Sequence, residues 1–229
     1  MNKEKLLDEN SKHALQSDNI IAITNRHLCS RPFMEQLERV CKLHPHAIVL
    51  REKDMPEAEY LSLARDVIAL CKEYDVQCML HSFINVAMEL EHPYIHLPLP
   101  ILEAYAKKDL SDHYQQFFKV IGTSVHSVED AIRAEQLGAT YMTAGHIFAT
   151  DCKKGLPPRG LDFLKNVCDA VGIPVYAIGG INIASNDDSR ASDAPSTDDA
   201  IPDISVPRLA KVMECGAAGG CIMSGMMKV

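Results

Sequence analysis

Pro174-Val175-Tyr176-Ala177-Ile178-Gly179-Gly180-Ile181 is the stretch on which the fold turns. Val175–Ile178 is a continuous apolar run, too short for a helix and without polar alternation, as expected of a strand buried on both faces of a parallel sheet. Two glycines end it, so the chain leaves the strand through a turn whose backbone N–H groups can come close to a ligand. Outward from this stretch the same unit recurs. Candidate strands are Ile20–Thr24, Ala47–Leu50, Gln77–Leu80, Tyr94–His96, Lys119–Thr123 and Thr140–Ala144 before it and Gly220–Met223 after it. Stretches of helical period fill the gaps. The clearest are Pro56–Tyr74, with proline in its first turn, and Val128–Leu137, with Ser127 as N-cap and Gly138 as its stop. Eight such strand–helix pairs close a single-domain (β/α)8 (TIM) barrel, a size that 229 residues suit. The alternative is an open doubly wound sheet, which usually carries a glycine-rich phosphate turn after its first strand. Thr24-Asn25-Arg26-His27 is not one.

The composition, 47% apolar and 24% charged, is that of an ordinary globular chain. A net charge of −8 argues against nucleic acid or an anionic membrane as partner, so an anionic ligand must be held by a local cluster of donors. Residues 1–18 form a polar N-terminal extension without an apolar core, and no run approaches the roughly 18 apolar residues of a membrane span. The chain is therefore expected in the cytoplasm. Residues 19–229 form the barrel domain, interrupted at Ala184–Pro207 by a segment rich in Asp, Ser, Ala and Pro. It reads as a disordered insertion on the catalytic face, either a solvated loop or a lid. The eight cysteines show no metal-ligand spacing and read mostly as reduced core residues.

Barrel active sites form at the C-terminal strand ends. After the second strand, Leu50-Arg51-Glu52-Lys53 aims two cations at the mouth, or forms an ion-paired surface turn. After the seventh and eighth strands, Gly179-Gly180 and Ser224-Gly225 stand where barrels often bind phosphate. The fifth strand leads into Ser124-Val125-His126-Ser127 and the sixth into Gly145-His146, with Lys153 beyond. Two histidines at adjacent strand ends suit proton transfer within a substrate, because an imidazole titrating near neutrality can take and return a proton. His126 has the competing reading of a helix cap, and His146 has less structural reason to be there. His81 and His96 end strands and could line the mouth. His13, His27, His44, His46, His92 and His113 read as loop or surface positions, and no histidine spacing suggests a metal.

Leu50–Lys53, Gly122–Ser127, Gly145–Gly155, Gly160-Leu161 and Pro174–Ile181 together resemble the thiamine phosphate synthase superfamily over Ile20–Ser224. The synthases join a pyrimidine diphosphate to a thiazole phosphate using acidic Mg²⁺ ligands after the third and fourth strands. This chain has His81-Ser82-Phe83 and His96-Leu97-Pro98-Leu99-Pro100 there, without those carboxylates. The departing diphosphate develops charge that a hard, oxygen-bound cation would stabilise. Gly145-His146-Ile147-Phe148-Ala149-Thr150-Asp151-Cys152-Lys153-Lys154-Gly155 more closely resembles the thiazole tautomerase branch, which carries its acid/base histidine where synthases have proline.

The resemblance implies a cofactor-free isomerase in thiamine biosynthesis that aromatises a carboxythiazole phosphate. His146 is the expected acid/base, with His126 as a second catalytic candidate. Gly179, Gly180 and Ser224 are expected to anchor the phosphate, and Lys153 and Ser124 to contact the carboxylate or ring. Arg51 and Lys53 bind an anion or are structural. The alternatives are a synthase, which would need Mg²⁺, and a ligand sensor without turnover. A homodimer is also implied by related barrels.

Overall fold

A computed structural model describes residues 19–106, 117–150, 153, 155–183 and 206–229. The N-terminal extension and residues 184–205 of the expected insertion lie outside them. Eight parallel strands close a barrel in sequence order: β1 (Ile20–Ile23), β2 (Ala47–Leu50), β3 (Gln77–His81), β4 (Tyr94–Pro98), β5 (Val120–Val125), β6 (Tyr141–Gly145), β7 (Val175–Ile178) and β8 (Gly219–Ile222). Seven α-helices are described: α1 (Phe33–Lys42), α2 (Glu57–Glu73), α3 (Ile84–Glu89), α4 (Leu99–Ala106), α5 (Val128–Gln136), α6 (Gly160–Ala170) and α7 (Leu209–Glu214). Eight strand–helix pairs were expected. After β8, however, the chain makes a turn closed by Met227 N donating to Met223 O (3.2 Å), with no described helix. Closure is unaffected, because β8 completes its ladder with β7 and β1.

The period of two along each strand divides the core. Ile20, Ala22, Ile48, Leu50, Leu80 and Ile95 pack outward with the helices. Ile21, Ile23, Ala47, Val49, Met79, Tyr141, Tyr176 and Cys221 fill the barrel. Each large aliphatic side chain so buried contributes roughly 1.5–3 kcal/mol. Strand ends differ from expectation by one or two residues because side chains close the ladders there. Thr140, expected in β6, donates its hydroxyl to Ile121 O (3.3 Å) and accepts from Ile121 N (3.0 Å). Pro56 is the N-cap of α2. Ser127 caps α5, accepting from Asp130 N (3.0 Å), and Gly138 at φ +89° turns the chain out of it. Two details correct the sequence expectation. Val206, assigned to the insertion, is buried in the core, and His92, expected at the surface, is buried with its Nε2 donating to Cys78 O (2.8 Å). Four cysteines are buried and three half-buried among those described, none of them in a disulfide; Cys152 lies outside the described residues. Among the described residues no helix is long and apolar enough to cross a membrane.

Candidate active site

The β2 end separates its charges. Glu52 is buried and accepts from Thr24 Oγ1 (2.6 Å), Arg26 N (3.1 Å) and Arg26 Nη1 (3.0 Å). Asp54 pairs with Arg26 (2.7 Å) and His27 (2.9 Å), and these partners, Arg26 foremost, hold its carboxyl well below the usual range. The acids of this loop are thus engaged by the β1 loop. Arg51 and Lys53 alternate with Glu52 along this loop. Lys53 is shifted below the usual lysine range by burial, then by Arg51 and Lys153, so the three cations share one locality. The charge of Arg51 also acts on His81 and His96, which places it over the open barrel end.

Below these cations lies a polar layer inside the barrel. The rings of His81 and His96 stack at 5.7 Å between centroids, 14° apart in plane. Burial, reinforced by neighbouring charge, pushes His81 down to about 2 and His96 down to about 3, so both are neutral. His81 Nδ1 meets Ser82 Oγ at 2.8 Å. His96 Nδ1 meets Tyr141 Oη at 2.8 Å and its Nε2 meets Ser124 Oγ at 2.9 Å, where Thr143 Oγ1 also arrives at 2.9 Å. Gly122, opposite Tyr141 across the β5–β6 ladder, makes the layer possible, since any Cβ there would fall within the Tyr141 ring.

On the β6 side, His146 is half-buried and its Nε2 lies 3.4 Å from Leu156 O. A carbonyl only accepts, so the imidazole is the donor wherever this long contact is a hydrogen bond. His126 is exposed. Its Nδ1 donates to Gly145 O at 3.0 Å and its backbone N–H to Asp130 Oδ2 at 3.1 Å. It thereby braces the β6 end immediately before His146, while Ser127, not His126, caps the helix.

The glycine pair holds the β6 and β7 loops together. Ile147 N donates to Ile178 O (2.9 Å) and Phe148 N to Gly179 O (3.1 Å). Gly179 at φ +99° passes so close to His146 that a Cβ would lie 2.5 Å from the His146 Cβ. The N–H groups of Gly179, Gly180, Ser224 and Gly225 meet no acceptor among the described residues. The two turns are neighbours, because a Cβ on Gly225 would meet Ile183 at 3.3 Å.

The structure therefore brings Arg51, Lys53 and Lys153 together over one part of the mouth, Gly179 beside His146 with Gly180 against Phe148 and Ala149, and Ser224 next to the glycine turn. Ser124 sits on the polar layer below the cations. Sequence reasoning missed Tyr141 and Thr143 in that layer. Their only trace is the alternation in Tyr141-Met142-Thr143, which identifies a face but not what it meets. It also missed Arg208, whose guanidinium donates to Gly180 O and lies 4.7 Å from the Phe148 ring centroid.

A family model described as thiamine monophosphate synthase matches residues 20–196. A protein of Aquifex aeolicus (strain VF5) named putative thiamine-phosphate synthase 2 is 35% identical over 162 residues, 71% of this chain and 84% of its own. A thiamine-phosphate synthase of Pyrococcus furiosus is 31% identical over 163 residues, 71% of this chain and 75% of its own. The solved structure of thiamine phosphate pyrophosphorylase from Pyrococcus furiosus has a TM-score of 0.67 at 26% identity, over 93% of this chain and 89% of that one. With its closed barrel, cationic mouth and a match running from β1 past β7, this chain belongs to the thiamine monophosphate synthase family.

Proposed function

We propose that this protein is a thiazole tautomerase that aromatises a carboxythiazole phosphate by moving one proton. The observation that carries this reading is His146, a half-buried imidazole at the β6 end, pressed against the glycine turn of β7. In this mechanism the backbone N–H groups of Gly179, Gly180 and Ser224 hold the phosphate, and fixing the ring against His146 makes proton transfer effectively unimolecular. His146 takes the proton from the ring, and the imidazolium so formed returns it at the position that completes aromaticity, leaving no net change in protons. His126 acts through Gly145 O by holding the strand end. Arg51, Lys53 and Lys153 balance the negative charge of the ligand.

Among the described residues, the donors at the mouth do not suit a Mg²⁺ ion. The positions after β3 and β4 offer neutral imidazoles under three cations, and the two nearby β2-loop carboxylates are engaged by Thr24, Arg26 and His27. Among the described residues no cluster of three His, Cys, Asp or Glu side chains is suited to a metal. A hard cation needs oxygen ligands and a compensating negative field.

The second reading is thiamine-phosphate synthase. The names of the relatives favour it over isomerisation, and the Arg51, Lys53 and Lys153 cluster would suit a diphosphate. One pair of assays separates the readings. Incubation with the unaromatised thiazole phosphate is expected to give the ultraviolet absorbance of the aromatic ring, lost in His146→Ala while thiazole phosphate binding persists. A fully active His146→Ala refutes the assignment. Formation of thiamine phosphate from the two precursors with Mg²⁺ would establish the synthase, and binding without either turnover would leave a sensor.

A further inference from the structure

The hydrogen-bond layer under the mouth has a defined direction. Tyr141 is buried inside the barrel, and burial holds its phenol well above the usual range, so it keeps its proton. A buried O–H without an acceptor loses its bond to water with nothing in return. Its one hydrogen-bond partner among the described residues is His96 Nδ1 at 2.8 Å, so the phenol donates and Nδ1 accepts. A neutral imidazole that accepts at Nδ1 carries its hydrogen on Nε2. Nε2 therefore donates to Ser124 Oγ at 2.9 Å. Thr143, buried and with Ser124 Oγ as its one side-chain partner among the described residues, donates there too at 2.9 Å. Both lone pairs of the serine oxygen are then filled. Its own hydrogen remains, on a half-buried side chain at the open end of the barrel.

We propose that His96 and Tyr141 are positioning residues that set Ser124 as a pure hydrogen-bond donor, and that the group it receives is the substrate carboxylate. This rests on the reading of the ligand as a carboxythiazole phosphate. A donor that cannot accept selects a group rich in lone pairs and disfavours N–H or O–H groups. The phosphate is assigned to the turns after β7 and β8, and Ser124 stands on β5, two strands from β7 and three from β8 around the barrel. The two anionic ends of one small molecule would then lie apart around the mouth, with the ring held between them.

Two measurements test this, neither of which requires turnover. Two-bond ¹H–¹⁵N correlation spectra of the ligand-free protein at pH 7 should show His96 as the Nε2–H tautomer, mixing with Nδ1–H in Tyr141→Phe. An Nδ1–H or doubly protonated His96 in the unsubstituted protein overturns the relay. Calorimetric binding of carboxythiazole phosphate and of the same thiazole phosphate without its carboxylate supplies the second readout. Tyr141→Phe should weaken the first about tenfold, the scale of one hydrogen bond to a charged group, and leave the second within about twofold. Ser124→Ala, which removes the donor itself, should reproduce that selectivity. Equal weakening of both probes, or no difference between them in the unsubstituted protein, overturns the carboxylate assignment. A protein that made thiamine phosphate instead of the aromatic tautomer would refute the proposed reaction while leaving the His96 spectrum as predicted.

Discussion

Replacing Gly179 by alanine tests whether the glycine pair is needed for close approach or only for backbone freedom. Gly179 and Gly155 both lie at positive φ, +99° and +84°, and both would be strained by a side chain. For a non-glycine residue that strain is on the order of 1–2 kcal/mol. They differ in surroundings. A Cβ on Gly155 meets nothing within 4 Å, whereas one on Gly179 lies 2.5 Å from the His146 Cβ and 2.8 Å from its Cα. These atoms cannot swing aside, so relief requires the β6 and β7 loops to part. The bonds from Ile147 N to Ile178 O and from Phe148 N to Gly179 O would then weaken, at about 1 kcal/mol each. Gly179→Ala should therefore be less stable than Gly155→Ala by about 2 kcal/mol, or about 4–8 °C in Tm for a chain of this size. Parallel urea denaturation of the two variants measures the difference. Equal stability would mean that the loops are not in contact at Gly179 and would remove the argument that the glycine turn holds His146 in place.

Two further outcomes follow from buried charge. His81 and His96 stay neutral in the folded protein, titrating only near pH 2 and 3, whereas in the unfolded chain they titrate near roughly 6.5. Stability is therefore full above pH 6.5. It falls on acidification, by about 1.4 kcal/mol per pH unit for each imidazole, as the unfolded chain takes up protons that the native one refuses. Urea midpoints should hold above about pH 6.5 and drop from there to pH 5, and a level midpoint would refute the neutral pair. Glu52→Gln removes the buried charge that accepts from Thr24 and Arg26, and should cost about 1.5–3 kcal/mol by chemical denaturation. A change under about 0.5 kcal/mol would mean that Glu52 does not hold the β1 and β2 loops together.

The barrel was legible because parallel strands buried on both faces leave a local mark. Runs such as Ala47–Leu50 and Val175–Ile178 need no partner to be recognised, and Ser127 with Gly138 mark the ends of α5 by chemistry confined to one turn. That His146, the glycine pair and Ser224 follow strand ends was equally readable, since strand ends map directly to the barrel mouth. The missing eighth helix was not, because seven residues after β8 look the same whether they wind or turn.

Sequence alone thus determined the order of elements, the face that carries chemistry and the residues standing at each strand end. Tertiary structure decided which of those residues meet. Glu52 turned out to face Arg26 rather than its neighbours in Leu50–Lys53, and Lys53 came to lie in the field of both Arg51 and Lys153. Tyr141 reaches His96, 45 residues away in sequence, only because the β5–β6 register sets Gly122 opposite it. The physical reason is range. Propensity, capping and burial periodicity act within a turn or a strand, whereas hydrogen-bond direction and shared charge depend on distances set by closure of all eight strands.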